Sequence, residues 1–221
     1  MTKIASLVTA LLLVPFHLWA QEVFTRDGNV FLRTAQSGVI QMTTSGLDSD
    51  PSLSADGKSI VFVRDTPGEL VDAAAGRINA TELWLMNIST RKADLLIKGK
   101  DDPDRKRTLA GFHHPIFSPD NHSVYFISEA WVVSGAIHKI LLNTKEVDFL
   151  IDGASFGVIS VGRYSGYVLV HRNLVKFDKN GDSLGRDSYL FLVSPDGKPV
   201  KEIGQSDSKA AREFWKRNIE H

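Results

Sequence analysis

The 221-residue sequence contains no cysteine, which excludes disulfide bonds, thiolate zinc sites and a catalytic thiol. It also lacks an excess of either charge, since 26 Lys and Arg residues stand against 26 Asp and Glu residues. This balance excludes a strongly basic nucleic-acid-binding protein and an acidic tail protein. The length and the 43% hydrophobic content suit one or two globular domains with a real core.

Residues 1–20 have the layout of a secretory signal peptide. Lys3 precedes an apolar run, Pro15 interrupts it, and Ala20 offers a small residue for cleavage. We therefore expect cleavage after Ala20, which leaves no transmembrane anchor, and a periplasmic location, since a secreted protein without cysteine fits a bacterial periplasm. The alternative is an uncleaved segment, because Leu18 is larger than signal peptidase prefers.

A repeat runs through the rest of the sequence. Residues 51–63 (PSLSADGKSIVFV) and 115–127 (PIFSPDNHSVYFI) share a proline, a serine, and Asp-Gly or Asp-Asn before an alternating apolar segment. Gly57 and Asn121 both tolerate positive φ, so each segment predicts two strands joined by a tight turn.

A second predicted hairpin follows each of these segments, at residues 82–99 and 137–153. A third, degenerate copy occupies residues 156–204, where the SPDG turn at 194–197 corresponds to the NIST turn at 87–90. An incomplete copy of three short strands precedes them all. Each complete copy is therefore a four-stranded antiparallel meander.

Four-stranded repeats of about 40–45 residues are typical of β-propellers, in which the sheets stack around an axis. The sequence predicts an all-β fold over residues 21–205. This fold is a small antiparallel β-propeller, or an open propeller fan, of about four blades with the first incomplete. The sequence contains two insertions. Residues 65–81 are predicted to lengthen a hairpin loop in the second unit, and residues 100–112 to lengthen the connection between the second and third units.

A C-terminal α-helix is predicted within residues 206–221, where the spacing of the apolar residues changes from that of a strand to that of a helix. Ser206 or Ser208 would cap its N-terminus. Phe214 and Trp215 lie on its apolar face, which predicts either a helix that covers the propeller edge or a helix that docks a partner protein.

The repeated segments PSLSADGKSIVFV and PIFSPDNHSVYFI, with the strands that follow them, resemble the TolB-type (WD40-like) β-propeller repeat. The resemblance extends over roughly residues 22–204 and is weakest in the third copy. The chain is too short for the six blades and the additional domain of TolB itself, so it resembles a reduced relative. The resemblance implies a protein that acts through partner contacts in the cell envelope.

Two motifs suggest chemistry but lack the sequence context for it. Residues 181–185 (GDSLG) match the nucleophile motif of some esterases, yet a strand and not a helix is predicted to follow Ser183. Asp178 begins a segment similar to a calcium loop, but Ser183 and Tyr189 stand where that loop needs Gly and Glu. We predict no catalytic residue and no cofactor.

The candidate binding residues are Asp48, Asp50, His113 and His114, which precede the two prolines of the repeat. The innermost strands of a propeller line its channel, so these side chains are expected at the channel rim. A metal site needs a third ligand with suitable geometry beside the two histidines, and the sequence does not supply one. We therefore predict no metal site, and calcium or zinc at the channel stays an open alternative.

The sequence favours an exported, non-catalytic binding module that holds a protein or peptide partner in the envelope, with an immunity or inhibitor protein as one variant. No nucleophile, base and orienting group occur together. The alternative is a metal-dependent propeller hydrolase, which requires Asp48, Asp50, Asp152 and Asn173 to converge at the channel. A degenerate remnant without a site is a third reading.

Overall fold

The computed structural model describes residues 21–220, so the predicted signal peptide lies outside the described residues. Four antiparallel sheets follow one another along the chain, and the prediction of a propeller-type fan is confirmed. The strands are β1 (Glu22–Arg26), β2 (Asn29–Thr34), β3 (Gly38–Gln41), β4 (Asp48–Leu53), β5 (Ser59–Ala73), β6 (Gly76–Asn87), β7 (Ala93–Lys98), β8 (His113–Phe117), β9 (Ser123–Trp131), β10 (Ser134–Leu141), β11 (Val147–Gly153), β12 (Ser155–Val158), β13 (Val168–Phe177), β14 (Ser183–Val193) and β15 (Pro199–Gln205).

Each sheet is a blade whose strand order follows the sequence. Blade 1 contains β1–β3, blade 2 contains β4–β7, blade 3 contains β8–β11, and blade 4 contains β12–β15. The repeat therefore divides the chain as predicted. The SPDG segment joins β14 to β15, just as the NIST segment joins β6 to β7.

Hydrophobic clusters hold neighbouring blades together face to face. Blades 1 and 2 share a cluster that includes Leu32 and Phe62, and blades 2 and 3 share one that includes Val63 and Phe126. A third cluster joins blades 3 and 4. No single blade encloses a core of its own, so the stability of each sheet depends on its neighbour.

Helix α1 (Lys209–Ile219) covers the remaining face of blade 4. Ser208 caps it, accepting a hydrogen bond from the Ala211 backbone N–H at 3.2 Å. Ala211 is buried, and Ile219 lies so close to Gly157 that a Cβ there would meet it at 2.9 Å. Because the helix occupies the face that a further blade would need, the four blades form an open fan.

Phe214 and Trp215 pack into the same cluster, against the sheet of blade 4. These contacts match the first of the two predicted roles for the helix, which is to cover the propeller edge. The predicted docking of a partner on this helix stays a prediction.

The first insertion differs from its prediction as a loop. Residues 65–81 continue β5 and β6 as a two-stranded arm, with regular pairs from Leu70–Asn79 to Ala73–Gly76. Val71, Ala73 and Ala80 pack on Ala110 of the second insertion. The arm is ordered as strand because this small apolar contact anchors it along one side.

Candidate functional site

One end of the fan carries all the long hairpins. The innermost strands β4, β8 and β12 begin at this end. The turns of three long hairpins lie at the same end, and these hairpins are formed by residues 65–81, 128–135 and 172–187. This arrangement follows from the antiparallel order, since the second turn of a meander returns to the end at which its first strand began. We call this end the hairpin face.

The predicted rim residues lie at the hairpin face, at the start of β4 and β8. Asp50 and His114 adopt the left-handed region, with φ of 46° and 54°, and each lies within a break in the strand register. Non-glycine residues adopt such backbone angles only where the surrounding structure requires them. The two bulges therefore turn equivalent residues of adjacent blades toward each other.

A chain of hydrogen bonds joins the innermost strands of three blades. The His114 backbone N–H donates to Asp50 Oδ2 at 3.0 Å, and the His114 ring Nε2 lies 3.0 Å from the Phe156 carbonyl oxygen. That oxygen is an acceptor, so Nε2 carries the proton in this contact. Asp50 and His114 thus fix the spacing of blades 2, 3 and 4 at the channel rim.

Asp48 is buried and bound on both oxygens by Arg64, with Arg64 Nε to Oδ1 at 2.6 Å and a terminal guanidinium nitrogen to Oδ2 at 3.0 Å. The guanidinium also lies over the ring of Trp84, at 4.9 Å from its centroid. A bidentate pair of this kind satisfies the carboxylate fully. Asp48 therefore ties β4 to β5.

His113 faces a separate groove of about 350 Å³ at the hairpin face. Burial lowers the pKa of His113, and the nearby carboxylates of Asp50 and Glu129 oppose that shift. Glu129 and Trp131 line the groove from β9, and the tip of the residue 65–81 arm closes it from the other side. The groove thus combines an imidazole, a carboxylate and an indole.

The sequence analysis missed Glu129, Trp131 and the arm as parts of this groove. Trp131 sits at the end of β9, where the alternation of apolar residues predicts a strand but gives no hint of what lies opposite it. The partner across the groove comes from the insertion of blade 2, some fifty residues earlier in the chain. Only the packing of neighbouring blades brings the two together.

Large apolar side chains are exposed on the hairpin face. Val132 is 77% exposed at the tip of the β9–β10 hairpin, and Phe177 and Leu184 are 63% and 68% exposed near the tip of the β13–β14 hairpin. Further exposed apolar side chains at this end are Leu47, Leu70, Val133 and Val175. The opposite end carries fewer, among them Val161 and Val200.

The carboxylates and the amide that a channel metal would require do not converge. Asp152 pairs with Arg172 at 2.6 Å, and the Asn173 side chain donates to the Val133 carbonyl oxygen at 2.9 Å. Within residues 21–220, no group of three or more His, Asp or Glu side chains is arranged to hold a metal ion.

The two motifs of residues 178–185 form a turn and the start of a strand. Asp178 Oδ1 accepts hydrogen bonds from the backbone N–H groups of Asn180 and Asp182, both at 2.8 Å. Ser183 is the first residue of β14, and the strand predicted to follow it is present, so the serine is not presented at the N-terminus of a helix.

Neither a protein-family model nor a curated protein matches the sequence. Solved structures match in fold. A TolB-type protein from Agrobacterium tumefaciens is similar with a TM-score of 0.50 at 16% identity, over 80% of this chain and 57% of that one. Dipeptidyl peptidase 4 of Porphyromonas gingivalis gives 0.51 at 13% identity, over 83% of this chain and 31% of that one.

The β-propeller domain of the Trilobed protease from Pyrococcus furiosus gives a TM-score of 0.50 at 12% identity, over 79% of this chain and 48% of that one. These identities establish the fold alone. The predicted likeness to TolB-type propellers is confirmed at that level. The chain spans 57% of the length of the TolB-type structure. Within residues 21–220, no helix has both the length and the apolar character to cross a membrane.

Proposed function

We propose that this protein is an exported, non-catalytic propeller module that binds a protein or peptide partner in the cell envelope. Its binding surface is the hairpin face, and an inhibitor or immunity role toward a secreted toxin or enzyme is a form that this binding would take. The periplasmic location rests on the signal-peptide pattern of residues 1–20.

The observation that carries the proposal is the set of exposed apolar side chains on the hairpin face. Phe177, Leu184 and Val132 are all more than 60% exposed, and they lie on hairpins of adjacent blades. Water-exposed apolar groups of this size are costly to gather on one surface unless a partner covers them. Apolar anchors surrounded by polar groups are typical of protein-binding surfaces.

The groove beside His113 supports recognition through polar contacts. Glu129 and the His113 imidazole provide hydrogen-bonding groups, and Trp131 provides a large flat surface. Tryptophan contributes strongly to binding when a partner removes it from water. A partner side chain inserted here would gain both kinds of contact.

Two ion pairs support a non-catalytic role. Both oxygens of Asp48 are bound by Arg64, and Asp152 is bound by Arg172. Carboxylates held in this way are poorly placed to act as bases or metal ligands, because each would first have to leave its guanidinium partner.

Site-specific photo-crosslinking tests this surface directly. A benzophenone amino acid is placed at Phe177 on the hairpin face or at the control position Val161, which is 59% exposed at the opposite end. In cells that produce the protein naturally, we expect one discrete adduct from position 177 and none from position 161. Absence of an adduct at 177, or equal adducts at both positions, would contradict the proposal.

A further inference from the structure

Among the described residues, 21–220, blade 1 has no counterpart of the innermost strand of the other blades. In blades 2 and 3 the fourth strand is followed along the chain by the innermost strand of the next blade, and β3 is followed by β4 in the same way. The turn after β1 lies at the hairpin face, where the Asp48 N–H donates to the Gly28 carbonyl oxygen at 2.7 Å. Strands β1, β2 and β3 therefore correspond to the second, third and fourth strands of a complete blade.

The packing of side chains agrees with this correspondence. Blade 1 packs on blade 2 through Val23 of β1, Leu32 of β2 and Met42, which directly follows β3. The second, third and fourth strands of blade 2 pack on blade 3 in the same order, through the residues Val61, Val63, Leu83, Leu96 and Ile97. In blade 1, the strand position that none of residues 21–220 fills is thus the one beside β1, on the channel side.

The backbone of β1 is oriented to accept a strand at that position. Asp27 and Gly28 have φ of 50° and 66°, which gives a two-residue hairpin turn closed by the pair Arg26–Asn29. Hydrogen-bonded pairs alternate along an antiparallel hairpin, so the N–H and C=O groups of Val23 and Thr25 point away from β2. In the part of the chain that the structure describes, these backbone groups have no hydrogen-bond partner.

A groove of about 370 Å³ lies beside this edge. Val23 and Phe24 form one wall, and the bulged starts of β4 and β8, including Asp50 and His114, form the other. An extended segment laid in the groove would pair with β1 and contact the channel rim at the same time. Unpaired strand edges of this kind are the usual sites of strand addition.

We infer that blade 1 is completed by an extended segment of the partner protein, which pairs with the channel-side edge of β1. This inference rests on the proposed function and specifies how the partner binds. Cleavage after Ala20, which we propose above, leaves Gln21 as the one residue before β1, so the mature N-terminus is too short to supply the strand.

The surroundings of β1 define the chemistry of the added segment. Side chains on one face would meet Val23, which favours a small apolar residue. Those on the other face would lie beside Arg26 and Phe24, and Arg26 makes no salt bridge among the described residues. An acidic residue next to Arg26 would supply the complementary charge.

The test uses the mature chain and a synthetic octapeptide, GASFGVIS, that copies residues 153–160. This peptide contains β12, an innermost strand whose register with its neighbour is uninterrupted. It carries no acidic residue for Arg26, so it tests the backbone pairing with β1 alone. We expect saturable binding that slows amide hydrogen exchange of Val23 and Thr25 by about tenfold or more, with little change at Phe24 and Arg26. These last two amides already bond to β2.

Two variants separate edge pairing from other modes of binding. Thr25→Pro removes an outward-pointing N–H without disturbing the pairing with β2, whereas Thr25→Val keeps that N–H. We expect Thr25→Pro to weaken peptide binding about tenfold, the equivalent of one hydrogen bond, and Thr25→Val to bind like the original. Equal binding by both variants, or no slowing at Val23 and Thr25, would overturn the inference.

N-terminal sequencing of the exported chain completes the test. A start at Gln21 agrees with an added segment from a partner. Retention of residues before Gln21, together with slow exchange at Val23 and Thr25 in the absence of peptide, would show that the chain fills the position itself and would overturn the inference. Failure of peptide binding with a preserved crosslink at position 177 refutes strand addition alone, whereas loss of both results refutes the proposed function as well.

Discussion

His138 is the most unusual titratable residue of the core. It is 1% exposed, its ring stacks on Phe126 with centroids 5.3 Å apart, and burial lowers its pKa to about 4 from the ordinary value of 6.5. Ser128 Oγ donates to the Thr108 carbonyl oxygen at 2.8 Å, so it accepts from His138 Nε2 at 2.9 Å. Within residues 21–220, Nδ1 has no hydrogen-bond partner.

This residue predicts a loss of stability in mild acid. The unfolded chain takes up a proton near pH 6.5 and the folded chain only near pH 4, so the contribution of the neutral ring is present above pH 6.5 and is lost as the pH falls to 4. The difference is worth roughly 3 kcal/mol. We expect His138→Leu to flatten this part of the curve of unfolding free energy against pH, measured by urea denaturation.

The exposed His122 provides the control for this measurement. Its side chain is 82% exposed, so His122→Gln replaces a histidine outside the core, and we expect the loss of stability between pH 6.5 and 4 to persist in this variant. If His138→Leu and the original protein lost stability in parallel between pH 6.5 and 4, the buried imidazole would not be the source.

At the scale of single elements, turns and strands are well predicted from the sequence, whereas the arm is not. Asn121 adopts a φ of 59° in the predicted turn, and the Asp120 carboxylate accepts from the His122 N–H as turn chemistry requires. Residues 65–81 contain Pro67 and Gly68, which favour a loop locally. Their strand structure depends on contact with Ala110, which is distant in the sequence.

The candidate site shows the same division. The repeat places Asp50 and His114 at equivalent positions, and the structure brings them into contact. Their roles depend on the spacing between blades, which no local pattern encodes. The exposure of Phe177 also could not be predicted, because an apolar residue in a strand is equally consistent with a buried position.

The cap of helix α1 gives a prediction at this scale. Ser208 accepts from the Ala211 N–H, and the helix is short, so we expect Ser208→Ala to lower the free energy of unfolding by about 1 kcal/mol. Ser208→Asp retains an acceptor at the cap and should restore most of the loss. Thermal melts followed by circular dichroism measure both variants, and equal losses would show that the cap has no such role.

At the scale of the whole molecule, the blades are bound in sequence, each to the next. The clusters that include Leu32, Val63 and Val170 each draw their members from two sheets, and the fourth cluster joins blade 4 to the helix. Loss of one blade therefore exposes the apolar face of its neighbour.

This arrangement predicts a single thermal transition for the mature chain. Because each blade shares its core with its neighbours, partial unfolding would expose a whole sheet face, and intermediates should be scarce. Differential scanning calorimetry should give equal calorimetric and van't Hoff enthalpies. Two resolved peaks, or a broad transition with a much smaller van't Hoff enthalpy, would indicate blades that unfold independently.

The open side of the fan determines how a ligand can reach the axis. A closed ring admits a polypeptide only by threading a free end through its opening. Here helix α1 prevents closure by covering the last blade, and the groove beside β1 is bordered by β4 and β8 on its other side. A loop in the middle of a folded protein can therefore enter laterally, so that neither terminus of that protein is needed for recognition.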